Sequence, residues 1–173
     1  MGILVLMFAR YFVELPISLE EVERALSHDP SLWLPGLAER AHHRGDLLLA
    51  EVGFGEAVRI KRTVAVELGR SVRTGSKVVF PLRWAASGGA NLFPSLDADL
   101  EVAPIRPGRT QLAMSARYVP PFGTVGRVID RAVLSRVAEA TLKDFLDRVA
   151  DTIMGSQDAP NPAGPSRVAP APA

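Results

Sequence analysis

Arg62 is the residue in this sequence whose position asks most for a chemical explanation. Along Ala57 to Leu68 the even positions read Val58, Ile60, Arg62, Val64, Val66 and Leu68, and the odd ones include Arg59, Lys61, Thr63 and Glu67. Strand periodicity therefore puts one guanidinium on an otherwise apolar face. Arginine keeps its charge, so burial there demands a carboxylate, carbonyls, water or the head group of a ligand. Two structural explanations compete: a bulge that turns the side chain outward, and snorkelling at the sheet rim. Trp84 and Tyr118 are the polar-tipped aromatics whose parity points inward, either as satisfied core residues or as the lining of a site.

Other candidates reduce to structural roles. The histidines are His28, His42 and His43. The last two are adjacent and cannot share a helix face, and none has a companion at metal-ligand spacing. Asp97, Asp99 and Glu101 gather three carboxylates on one strand face, but their parity assigns that face to solvent. Gly53-Phe54-Gly55 and Ser87-Gly88-Gly89 lack the Lys-Ser/Thr and the helix start of a phosphate cradle, and read as hairpin turns. There is no Gly-x-Ser-x-Gly elbow. No cysteine is present, which removes disulfides, thiolate metal sites and a cysteine nucleophile, and fits a cytoplasmic location. No metal or other cofactor is expected.

The composition, 47% hydrophobic and 23% charged over 173 residues, suits one domain with a true core. A net charge of +1 leaves no footprint for nucleic acid. Lysine is confined to Lys61, Lys77 and Lys143, and the bias to arginine, alanine, valine and glycine fits a GC-rich bacterial genome. Ile3 to Ala9 is an apolar run too short to span a bilayer, which needs about 20 residues. It reads as the lead into a first strand, so no stable membrane insertion is expected.

The elements that must position these residues follow from periodicity. The first strand continues through Tyr11, Val13 and Leu15 to Pro16. Ser18-Leu19-Glu20-Glu21 has the capping-box form and opens a short helix with Leu19, Val22 and Leu26 on one side. A second short helix falls at Ser31 to Leu34 or Gly36 to His42, divided by Pro35-Gly36. Strands are expected at Leu47–Val52, Ala57–Leu68, Lys77–Ala86, Phe93–Val102 and Thr110–Val119, joined by Gly-rich turns into antiparallel hairpins. Val78, Phe80, Leu82 and Trp84 share a face, as do Ala98, Leu100 and Val102, and Leu112, Met114, Ala116 and Tyr118. A long helix from about Thr124 to Met154 carries the stripe Leu134, Ala138, Leu142, Phe145, Val149 and Ile153. Its wet side holds the i,i+4 pairs Glu139–Lys143 and Asp144–Arg148. This gives an α+β domain over residues 1–154, with a curved antiparallel sheet wrapped around a long C-terminal helix. Residues 155–173, rich in proline and alanine, form a disordered tail.

Three segments resemble the helix-grip fold of the START-like (SRPBCC) superfamily. They are Val13-Glu14-Leu15-Pro16 into Ser18–Leu26 with Leu34-Pro35-Gly36-Leu37; Val79-Phe80-Pro81-Leu82-Arg83-Trp84 with Leu92-Phe93-Pro94-Ser95-Leu96-Asp97-Ala98-Asp99-Leu100; and Arg117-Tyr118-Val119-Pro120-Pro121-Phe122-Gly123 into the helix. The likeness is to an uncharacterised bacterial branch near polyketide cyclases and lipid-transport proteins. That superfamily has seven strands, against six counted here. The resemblance implies a cavity between sheet and helix for a lipid, quinone or polyketide-like ligand. On this sequence it would be lined by Phe80, Leu82, Trp84, Leu112, Met114, Tyr118, Leu142 and Phe145, with Arg62 as anchor for an anionic or carbonyl end. The alternatives are a cyclase or dehydratase working in the same cavity, and a filled core with a role carried by the surface. The oligomeric state is open.

Overall fold

The computed structural model describes residues 7–51, 63–87, 96–118 and 131–157. The order is β1 (Met7–Leu15), α1 (Leu19–Ser27), α2 (Pro30–Glu51), β2 (Thr63–Leu68), β3 (Val72–Thr74), β4 (Lys77–Ser87), β5 (Leu96–Arg106), β6 (Arg109–Tyr118) and α3 (Arg131–Gln157). The six strands form one curved, wholly antiparallel sheet in the order β1-β6-β5-β4-β2, with β3 also on β4. This is the α+β helix-grip architecture.

Alternation sets the two faces. Val78, Phe80, Leu82 and Trp84 are buried, as are Ala98, Leu100 and Val102, and Leu112, Met114 and Ala116. The opposite face carries cross-strand ion pairs: Lys77 to Glu101 at 3.0 Å, Arg83 to Asp97 at 3.4 Å and Arg117 to Asp99 at 3.8 Å. The three carboxylates thus serve the outer surface of the sheet, and such exposed pairs contribute little individually. On β2, Val66 and Leu68 pack against the core. Gly69 follows because its N–H donates to the Pro81 carbonyl at 2.7 Å; a Cβ there would lie 3.3 Å from that oxygen.

The helices close the inner face. α3 packs along β1, while α2 bridges α3 and β2, so both sheet edges are held. The α3 stripe Val137, Ala138, Leu142, Phe145, Leu146, Val149 and Ile153 is buried. Asp144 and Arg148 form the expected i,i+4 pair through two bonds of 2.8 and 3.1 Å. Lys143 turns instead to Asp147 at 2.5 Å and to the Tyr11 hydroxyl at 3.1 Å, tying α3 to β1. The capping box forms as its sequence requires: the Ser18 N–H donates to Glu21 Oε2 at 2.8 Å, and the Glu21 N–H donates to Ser18 Oγ at 3.3 Å.

Several expectations are corrected. α2 is one helix of 22 residues with Pro35 inside it, not a short helix confined to one side of Pro35-Gly36. It absorbs Leu47 to Glu51, which read as strand. Pro30 occupies the first helical turn, where its missing N–H costs nothing. Leu34, Leu37, Ala38 and Ala41 then bury one continuous stripe across the Pro35-Gly36 step. That burial outweighs the one helical bond, to Ser31, that Pro35 cannot make. The sixth strand is β3, three exposed residues before a turn that Gly75 closes at φ 61°. β5 runs past Val102 to Arg106, and a register shift between Pro104 and Arg106 accommodates the proline. α3 extends to Gln157, three residues into the segment that composition assigns to the tail. The remainder of that segment lies outside the described residues, as do residues 52, 57–62, 93–95 and 119 of the expected strands and 124–130 of the expected helix.

Candidate functional site

Three elements bring the candidate residues together. β4 contributes Phe80, Leu82 and Trp84 from alternate positions, β6 contributes Leu112 and Met114, and α3 contributes Leu142 and Phe145 one turn apart. All seven belong to one apolar cluster. Its centre is an edge-to-face contact between Trp84 and Phe145, with ring centroids 5.3 Å apart and planes at 62°. That geometry sets the positive edge of one ring against the negative face of the other.

The seven side chains expose between 0 and 3% of their surface. Values this small leave almost none of their surface accessible to water. In this structure the described part of the sheet–helix interior is filled by its own side chains. Tyr118 ends β6 with its backbone paired to Leu96 and to Met7; its side chain lies outside the described residues. Arg62 lies outside them as well.

The chemistry of this interior is almost wholly apolar. Among the described residues, the buried hydroxyls are Thr110 and Thr141. Thr110 Oγ1 donates to the Ile17 carbonyl and Thr141 Oγ1 to the Val137 carbonyl, each at 2.8 Å. The proton of each is thereby committed to a backbone carbonyl. The charged groups lie at the rim. The Lys143 ammonium is held well above the usual lysine range, first by its hydrogen bond to Asp147 and then by the Tyr11 hydroxyl. It therefore stays cationic throughout the physiological range.

Sequence reasoning missed two contributions to the interior. The α2 stripe of Leu34, Leu37, Ala38 and Ala41 packs into the same cluster, and its i, i+3, i+4, i+7 spacing was the available signal. Tyr11 faces inward from β1, half-buried against the cluster, with its hydroxyl toward the rim. Its parity with Val13 and Leu15 already placed it there.

No family model matches the chain. No curated protein matches it either. Solved structures do. A conserved protein from Geobacillus kaustophilus is similar at 20% identity, covering 87% of this chain and 97% of that one, with a TM-score of 0.50. The Zhui aromatase/cyclase of a Streptomyces species is similar at 11% identity over 90% of this chain and 98% of its own, with a TM-score of 0.45. Ara h 8.0201 is similar at 9% identity over 87% and 99%, also with a TM-score of 0.45. At 20% identity the likeness to the Geobacillus protein bears on the fold alone.

Proposed function

We propose that this chain binds and carries an apolar or amphipathic small molecule between the sheet and α3. The observation that supports this reading is the convergence of apolar faces from β4, β6 and α3 on the Trp84–Phe145 contact. The ligand class is lipid, quinone or polyketide-like. Because the described interior is filled, entry requires side chains to yield. Met114, unbranched and adaptable, lies on the sheet side, and the small Ala138 lies on the helix side. The ligand's own buried surface, at about 25 cal/mol per Å² of apolar area, would offset the contacts displaced. Arg62 continues the parity by which Val66 and Leu68 pack inward, and it is the proposed anchor for an anionic or carbonyl end.

Carriage is favoured over a cyclase or dehydratase because the buried hydroxyls of the described interior are both bonded to backbone carbonyls. Proton-transfer chemistry needs a group within reach of the substrate that is not already committed. The second reading is a filled core with a surface-mediated role, and the near-zero exposure of the seven lining residues is the observation that favours it.

The test is native mass spectrometry of the purified full chain for a co-purifying molecule, followed by thermal shift with fatty acids, quinones and aromatic polyketides. A ligand at about 100 times its Kd is expected to stabilise the fold by about 2.7 kcal/mol. No adduct, and no shift from any of the three classes, would overturn carriage in favour of the filled core.

A further inference from the structure

β1 forms one edge of the sheet and offers a face that none of the described elements covers. Ala9, Tyr11, Val13 and Leu15 point inward, while Phe8, Arg10, Phe12 and Glu14 point outward and are exposed. Phe8 and Phe12, at 64% and 54% exposure, are two of the four exposed large hydrophobic residues among those described. The pairing of β1 with β6 runs unbroken over nine residues, with neither a proline nor a bulge in β1. Proteins blunt sheet edges with such devices, and β1 lacks both.

The direction of the edge peptides follows from one hydrogen bond and the registers. The Pro81 carbonyl accepts from Gly69, so odd residues of β4 turn their peptide groups toward β2 and β3. Peptide direction alternates along a strand, so even residues of β4 bond to β5 and odd residues of β5 to β6. Even residues of β6 then bond to odd residues of β1. The peptide groups of Phe8, Arg10, Phe12 and Glu14 therefore point away from β6, to an edge that none of the described strands occupies. These are the residues whose side chains lie on the outer face.

The charges on this edge are self-complementary. A two-fold axis through Phe12 sets Phe12 against Phe12 of the partner subunit. It sets Arg10 against Glu14 of the partner subunit, and Glu14 against Arg10 of the partner subunit. Phe8 meets Pro16 of the partner subunit, which has no N–H and ends the ladder. A register centred on Arg10 would instead oppose two arginines, and one centred on Tyr11 would leave both charges opposite phenylalanine. We infer that β1 pairs antiparallel with β1 of a second copy of this chain, in the register centred on Phe12, joining two sheets into one.

The test uses the full chain in size-exclusion chromatography with light scattering across a concentration series, with circular dichroism to check each variant's fold. The wild-type chain is expected to dimerise. Arg10→Glu and Glu14→Arg each create two like-charge pairs, and each alone should weaken the dimer by about tenfold or more. A one-to-one mixture of the two variants restores both opposite-charge pairs and should restore dimerisation. The chain contains no cysteine, so single thiols report the register even where a charge variant fails to fold. Phe12→Cys should give a disulfide-linked dimer under mild oxidation, and Phe8→Cys should not. A chain that stays monomeric at every concentration overturns the inference, including one that instead sediments with vesicles of phosphatidylcholine and phosphatidylserine. A dimer indifferent to the charge reversals, a mixture that fails to re-pair, or crosslinking through Phe8 rather than Phe12 overturns it equally.

Discussion

Replacing Phe145 with alanine removes the side chain on which the helix and sheet converge. Phe145 has no exposed surface, and its neighbours in the cluster, including Met114, Leu146 and Val149, are equally enclosed. A collapse that filled the vacated space would have to move residues already in contact on every side. The cost is therefore expected near the usual value for a buried phenylalanine, about 3–5 kcal/mol. Loss of the edge-to-face contact with Trp84 falls within that figure, at about 0.5–1.5 kcal/mol. Domains are stable by only about 5–15 kcal/mol, so the variant would be marginal. Urea unfolding followed by far-ultraviolet circular dichroism measures it. With a slope of about 2 kcal/mol per molar, the midpoint should fall by about 2 M. Val72→Ala, on the exposed strand β3, is the control and should stay within about 0.5 kcal/mol. A loss below about 1 kcal/mol for Phe145→Ala would refute the packed interior described above, because only a ring beside open space can be removed so cheaply.

Four further outcomes are expected. Ser18→Ala should cost about 1 kcal/mol by removing the cap of α1. The Glu21 carboxyl is held below its ordinary value of 4.5, first by the Ser18 N–H and then by its hydroxyl. It therefore contributes stability that is present above that value and lost as pH falls through the lowered one, and Glu21→Gln should flatten the acid limb of a melting series from about pH 6 to about pH 3. Arg62→Met should preserve or raise the stability of the unliganded chain while selectively weakening acidic or carbonyl-bearing ligands in the thermal-shift panel; equal loss for all ligands would end the anchor role. Truncation after Gln157, where α3 ends, should leave the melting temperature unchanged, since residues 158–173 have no periodic apolar positions to bury.

The sheet was legible because period-two alternation is unambiguous when one face is dry. Val78 through Trp84, Ala98 through Val102 and Leu112 through Ala116 all face as their parity requires. The α3 stripe was equally plain. α2 was not, for a reason that lies in competing local signals. Pro35-Gly36 punctuates the chain, and Leu47 to Val52 is a short apolar run whose period fits helix and strand alike. The stripe from Leu34 to Ala41 crosses the proline and shows which signal governs. β3 gave no pattern because all three residues are exposed; it is held by its turn, by β4 and by the ion pair of Arg73 with Glu23 of α1 at 2.6 Å. The burial of Phe80, Leu82, Trp84, Leu112, Met114, Leu142 and Phe145 was legible from their spacing. Whether such a set encloses space depends on how far α3 stands from the sheet, which is a property of the whole packing and of no single position.

The most direct test of ligand carriage reads Trp84 itself. The chain has two tryptophans, and the other is Trp33, half-buried on α2 with its Nε1 donating to the His28 carbonyl at 3.4 Å. Trp33→Phe leaves Trp84 as the sole indole emitter, set against Phe145 at the centre of the cluster. Titration of this variant with fatty acids, quinones and aromatic polyketides should give a saturable change in Trp84 emission for at least one class, with a midpoint that matches the thermal shift. Trp84 emission unchanged across every class, in a chain that melts as the wild type does, would contradict a ligand seated between the sheet and α3.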